Sequence, residues 1–93
     1  MSETLNELYQ LIRARKENPP PDSYTAKLFA AGDAEIAKKV GEEAIEVIVA
    51  SYKESDARLA SECADLIYHL LVLLAARNVA WDAVEQELER RKK

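Results

Sequence analysis

Two acidic doublets with the same internal spacing, Glu43-x-x-Glu46 and Glu62-x-x-Asp65, stand in otherwise apolar stretches of the chain. Residues three apart share one face of an α-helix, about a turn from each other. Two such helices packed antiparallel bring four carboxylates to one place. Carboxylates crowded in an apolar bundle repel one another and lose hydration, a cost that a cation between them relieves. Hard oxygen ligands select Mg²⁺ or Mn²⁺ over metals that prefer soft ligands. The spacing therefore predicts a divalent-metal site held by Glu43, Glu46, Glu62 and Asp65 on a helical scaffold.

At such a site, positions stay open for water and substrate phosphates, phosphoryl oxygens are polarised, and bound water becomes nucleophilic. Glu42 and Glu46 are both candidates for the carboxylate that orients or deprotonates the attacking water. Lys38 and Lys39, one turn before the acids, suit neutralisation of charge developing on phosphate oxygens. The same spacing equally suits plain ion pairs with Glu42 and Glu43. His69 follows Asp65 by one turn, within reach of a ligating carboxylate or of substrate. Cys63 falls on the apolar side and reads as core, and Trp81 reads as the anchor of a last helix. Gly41, inside a helix at a cost of ~1 kcal/mol relative to alanine, fits close approach by another helix or a ligand.

Five helical segments must position these groups. The first is expected from about Ser2, as N-cap, to Glu17, with Leu5, Leu8, Tyr9, Leu11 and Ile12 as its apolar stripe. Asn18-Pro19-Pro20-Pro21 then forces an extended link, because proline locks φ and removes donors. A short helix capped by Asp22 or Ser23 runs to Ala31, with Gly32 at its carboxyl end. Asp33 is expected to cap a long helix to about Lys53. Glu54-Ser55-Asp56 breaks the pattern before a fourth helix ending near Asn78, and a fifth covers about Trp81 to Arg91.

On a helical wheel, Lys39, Glu42, Glu43 and Glu46 fall within roughly 100°, and Arg58, Glu62, Asp65 and His69 within about 60°. The short link between the third and fourth helices makes them antiparallel neighbours, so the two polar stripes can face each other. Their apolar residues spread over more than the ~100° of a surface helix. A chain of 93 residues has little else to cover them, which predicts a homodimer with these helices at the interface. The expected architecture is all-α, a bundle of four to five helices in one domain, with the core completed by homodimerisation.

Composition narrows the function class. A net charge of −4 and a pI near 5.0 argue against nonspecific nucleic-acid binding. The apolar run of the fourth helix reads as too short and too interrupted for a membrane span. One cysteine cannot make an internal disulfide, and no signal-peptide pattern opens the chain, so a cytoplasmic protein is expected.

Ser23-Tyr24-Thr25 with Leu28, then Gly32, Lys38-Lys39-Val40-Gly41-Glu42-Glu43-Ala44, and Glu62-x-x-Asp65-Leu66-x-Tyr68-His69 closely resemble the phosphoribosyl-ATP pyrophosphatase family. That family sits among the MazG-like all-α nucleotide pyrophosphohydrolases, whose metal signature is an ExxE followed by an ExxD. The resemblance runs from about Leu8 to Leu88. It implies Mg²⁺-dependent hydrolysis of the α–β phosphoanhydride of phosphoribosyl-ATP, giving phosphoribosyl-AMP and pyrophosphate, the second step of histidine biosynthesis. By position it implies Mg²⁺ ligands at Glu43, Glu46, Glu62 and Asp65 and phosphate contacts from Lys38 and Lys39. It also implies substrate contacts from Tyr24 and Thr25. Two other readings compete: a house-cleaning pyrophosphatase acting on free nucleotides with the same ligands, and a helical adaptor whose acids are merely solvated.

Overall fold

Proline and glycine divide the chain into its elements. The computed structural model describes residues 3–92, and Ser2, the expected first cap, lies outside them. Helix α1 (Glu3–Glu17) stops before Pro19-Pro20-Pro21, and α2 (Tyr24–Ala31) begins after two further residues, Asp22 and Ser23. Ser23, not Asp22, caps α2, its hydroxyl accepting from the Ala26 amide at 3.1 Å.

One residue, Gly32, separates α2 from α3 (Asp33–Lys53). Its φ of 100° and ψ of 169° lie in a region that is almost exclusively glycine's. Gly32 itself is the N-cap of α3, so Asp33 is the first helical residue and not the expected cap; its charge still favours the positive end of the helix. Ser55 caps α4 (Asp56–Ala76) by accepting from the Arg58 amide. This helix ends two residues short of Asn78, which adopts φ 59°. Lys16 closes that end by donating to the Ala75 carbonyl and the Asn78 side chain, both at 2.9 Å. The last helix, α5, spans Trp81–Arg91.

The described residues are all-α. The core draws Tyr9 and Ile12 from α1, Leu28 from α2, Ile36 from α3, and Leu71, Val72 and Ala75 from α4. Leu11, expected in the α1 stripe, is exposed, because Leu5, Leu8, Tyr9 and Ile12 complete the inward face without it. Trp81 packs on the core as expected, and the Tyr9 hydroxyl donates to the Val79 carbonyl at 2.6 Å, tying the start of α5 to α1. No residue of α5 is buried.

The most extensive contact in the molecule joins α3 to α4. Helix α4 is 21 residues long and contains an 18-residue window of mean hydropathy 1.6, so it meets the length and composition of a membrane span. That corrects the expectation that its apolar run is too short and interrupted for one. Its packing against α1, α2 and α3, with a buried glutamate and histidine in its wall, reads it as a core helix.

Candidate metal and substrate site

Ile36, Glu43 and Ala50 are seven residues apart and share one line of α3; both flanking apolar residues are buried. On α4, Glu62 and His69 are also seven apart, and both are buried. The α3–α4 contact thus carries a carboxylate from each helix into its own seam. Ligand atoms of Glu43, Glu62 and Asp65 lie within 4.8 Å of one another. The cluster is graded: Glu62 is only 6 % exposed, Glu43 is half-buried, and Asp65 opens to solvent. Glu46, the fourth expected ligand, stands exposed outside this trio, near enough to Glu62 and Arg58 to act on both electrostatically.

Burial pushes the Glu62 carboxyl above its ordinary pKa, and the charges of Glu46, Asp65 and Glu43 push it further, while Arg58 opposes them. The Arg58 guanidinium bonds Glu62 at 2.5 Å and Glu54 at 3.1 Å from the solvent side. Its own pKa is raised, by the Glu54 hydrogen bond first and then by the Glu62 charge. One guanidinium shared between two glutamates leaves the trio with excess negative charge. A buried carboxyl disfavoured in its charged form, facing two other carboxylates, is a donor set that fits a hard divalent cation. Glu43, Glu62 and Asp65 would hold it.

The two lysines part company. Lys39 is half-buried, 3.4 Å from Glu42 and 3.7 Å from Glu43, and its pKa is raised, chiefly by the nearby Tyr24 hydroxyl and then by those glutamates. Lys38 is exposed and pairs with no acid among the described residues. Glu42 is exposed beside Lys39.

One turn further along α4 the site becomes aromatic. Tyr24, the first residue of α2, is half exposed and its ring stacks on Tyr68, with centroids 6.2 Å apart at 25°. Both rings meet His69 edge-on, at 5.9 and 5.0 Å. The Nδ1 of His69 lies 2.7 Å from the Asp65 carbonyl oxygen, which can only accept, so Nδ1 carries the proton. In the neutral ring Nε2 then accepts from the Tyr24 hydroxyl at 3.0 Å. Both nitrogens of His69 are thereby occupied, and the imidazole holds Tyr24 against the turn that carries Asp65. Thr25, buried behind Tyr24, exchanges a short hydrogen bond with the Tyr68 hydroxyl, whose pKa burial raises and Thr25 restrains.

A family model described as phosphoribosyl-ATP pyrophosphohydrolase matches residues 5–92. The chain belongs to this family. Among its relatives, a Listeria welshimeri protein is 56% identical over 87 residues, spanning 94% of this chain and 84% of its own length. A Metallosphaera sedula protein is 52% identical over 93 residues, spanning all of both chains. A Saccharolobus islandicus protein is 51% identical over 92 residues, covering 99% of this chain and 98% of itself. All three carry the name phosphoribosyl-ATP pyrophosphatase. The resemblance read from the Ser-Tyr-Thr, Lys-Lys-Val-Gly-Glu-Glu and acidic motifs is thus the family of the whole chain.

Two residues of this candidate site carried no role in the sequence reading. Arg58 lies four residues after Glu54 and four before Glu62, a spacing visible on the wheel but common to ordinary surface ion pairs. Tyr68, inside an apolar run, is hard to tell from a core aromatic until Thr25 is seen bonded to it.

Proposed function

We propose that this chain hydrolyses the α–β phosphoanhydride of phosphoribosyl-ATP, releasing phosphoribosyl-AMP and pyrophosphate, with Mg²⁺ (or Mn²⁺) held by Glu43, Glu62 and Asp65. The observation that carries the reading is that carboxylate trio, buried at Glu62 and open at Asp65, in a chain of this family. Mg²⁺ in that seat would supply Lewis-acid polarisation of the phosphate oxygens. The protein's own groups do the rest. Lys39, 3.7 Å from Glu43, is placed to offset charge gathering on the leaving phosphates. The new P–O bond comes from water as the bridging P–O bond breaks, and the proton that water loses needs a carboxylate not fully engaged elsewhere. Glu46, exposed beside the trio and bonded to no cation among the described residues, fits that role; Glu42, tied to Lys39, fits it less well. Tyr24, its hydroxyl fixed by His69, offers a ring face for the purine, and Thr25 fixes Tyr68 beside it.

We place the reaction in the cytoplasm and the working unit as a homodimer. The α3 residues Ile45, Ile48 and Tyr52 are 62, 56 and 83 % exposed, a stripe that a second copy would cover.

Pyrophosphate release by the purified protein with Mg²⁺ tests the reading, comparing phosphoribosyl-ATP with ATP and dCTP. Strong preference for phosphoribosyl-ATP, abolished by EDTA, is expected. Preference for a free nucleotide would move the substrate while keeping the site, and no release from any of the three would sink the enzyme reading.

A further inference from the structure

Arg15 is a half-buried cation only lightly tied to the fold. It sits in the last turn of α1, and its one side-chain hydrogen bond among the described residues is a long one, 3.5 Å from Nη1 to the Ser23 hydroxyl. No carboxylate pairs with it among the described residues. Its neighbours are occupied: Arg13 pairs with Glu17, and Lys16 caps the end of α4. Arg15 lies close enough to the Tyr68 hydroxyl to act on it electrostatically. Arg15 therefore stands beside Ser23 and Tyr68, whereas Lys39 stands beside Tyr24 and the Glu43 of the carboxylate trio.

We infer that Arg15 binds the phosphate of the substrate's phosphoribosyl group and so sets the preference for phosphoribosyl-ATP over ATP. The inference rests on the substrate proposed above and adds the residue that recognises what distinguishes it. Phosphoribosyl-ATP carries anions at both ends of its purine: the triphosphate on one ribose, and a single phosphate on the second ribose attached to the base. A site that stacks the purine on Tyr24 needs positive charge on both sides of that ring. Lys39 and the cation-binding trio serve the triphosphate side. Arg15, with its planar fork of donors suited to phosphate oxygens, serves the other, and the Ser23 hydroxyl beside it adds a further polar contact.

The test is steady-state hydrolysis of phosphoribosyl-ATP and ATP by wild type, Arg15→Met and Arg15→Lys, with thermal melts of each. Arg15→Met should raise KM for phosphoribosyl-ATP about 10- to 100-fold, the loss expected for a charged hydrogen bond. The ratio of kcat/KM for phosphoribosyl-ATP over ATP should fall by a similar factor. Arg15→Lys keeps the charge without the fork and should recover part of the ratio. A selectivity ratio within two-fold of wild type in Arg15→Met, with the fold intact, overturns the inference. If Arg15→Met does not fold, Arg15→Lys carries the test: a ratio several-fold below wild type supports the inference, and an unchanged ratio overturns it. Wild type that does not prefer phosphoribosyl-ATP at all would instead sink the substrate reading, so the two failures are distinguishable.

Discussion

Glu62 is where the site's energetics concentrate. Its carboxyl is buried, shares space with Glu43 and Asp65, and has a pKa raised on folding, by burial first. A carboxyl with a raised folded pKa costs stability once ionised: the cost is absent below its unfolded pKa and fully present above its folded one. In EDTA, Glu62→Gln should therefore melt at or above wild type, with a difference that grows as pH rises through the acid range and levels off at neutral pH. With Mg²⁺ the order should reverse, because a ligand bound only by the folded wild type raises its midpoint. A Glu62→Gln variant that melts lower than wild type in EDTA would mean the Arg58 pair outweighs the repulsion. Asp65→Asn and Glu46→Gln separate two roles that sequence spacing left merged. Asp65→Asn should lose most of the Mg²⁺-induced rise in Tm. Glu46→Gln should keep most of that rise and lose about 10²-fold or more in kcat, as expected on removing a general base. Loss of the Mg²⁺ shift in Glu46→Gln would instead return Glu46 to the ligand set.

The elements test the two glycines in opposite directions. Gly32 holds φ 100° between α2 and α3, and Gly32→Ala should destabilise by about 1–3 kcal/mol. Gly41 lies in regular helix, and a Cβ added there would meet nothing within 4 Å among the described residues. The close approach by another helix that its sequence position invites is not made among the described residues. Gly41→Ala should accordingly stabilise by about 1 kcal/mol, a rise in Tm of about 4–8 °C for a domain of this size. A fall would mean that a second copy covers that turn. The same contrast shows what the sequence makes legible. Helix ends are local events, so Pro19 to Pro21, Gly32 and Ser55 placed the boundaries to within a residue or two. The α3–α4 pairing followed from a short link and two polar stripes. Side-chain reach is not local: whether Glu46 joins Glu43, or Lys38 joins Lys39, depends on where α4 and α2 lie. Nothing in the spacing alone separates members of such pairs. Likewise His69 was legible as a site neighbour, but not as a ring with both nitrogens committed to Asp65 and Tyr24.

At the scale of the whole molecule, the question is what covers the outer face of α3. The radius of gyration is 14.1 Å, against about 12 Å for a compact chain of this length. Ile45, Ile48, Val49 and Tyr52 follow the spacing i, i+3, i+4, i+7 and lie roughly opposite Ile36, Glu43 and Ala50 on the helix. The inner line of α3 thus serves the carboxylate cluster and the outer line is left to solvent. A standard interface buries about 800 Å² per partner, more than one four-residue stripe supplies, and α4 exposes two further large apolar side chains, Ile67 and Leu70. Wild type should therefore sediment as a dimer at micromolar concentration, with a Tm that rises with protein concentration. Ile48→Asp should shift it toward monomer and remove the concentration dependence. A wild-type monomer whose Tm ignores concentration would leave the stripe without a homotypic role. Because Ile48 lies across the helix from Glu43, its substitution leaves the carboxylate trio untouched, so activity in the Ile48→Asp monomer is informative in itself. Retained turnover would make each chain a complete catalyst. Turnover lost together with the dimer, and regained at concentrations that restore it, would mean that the second copy supports the α3–α4 seam from outside.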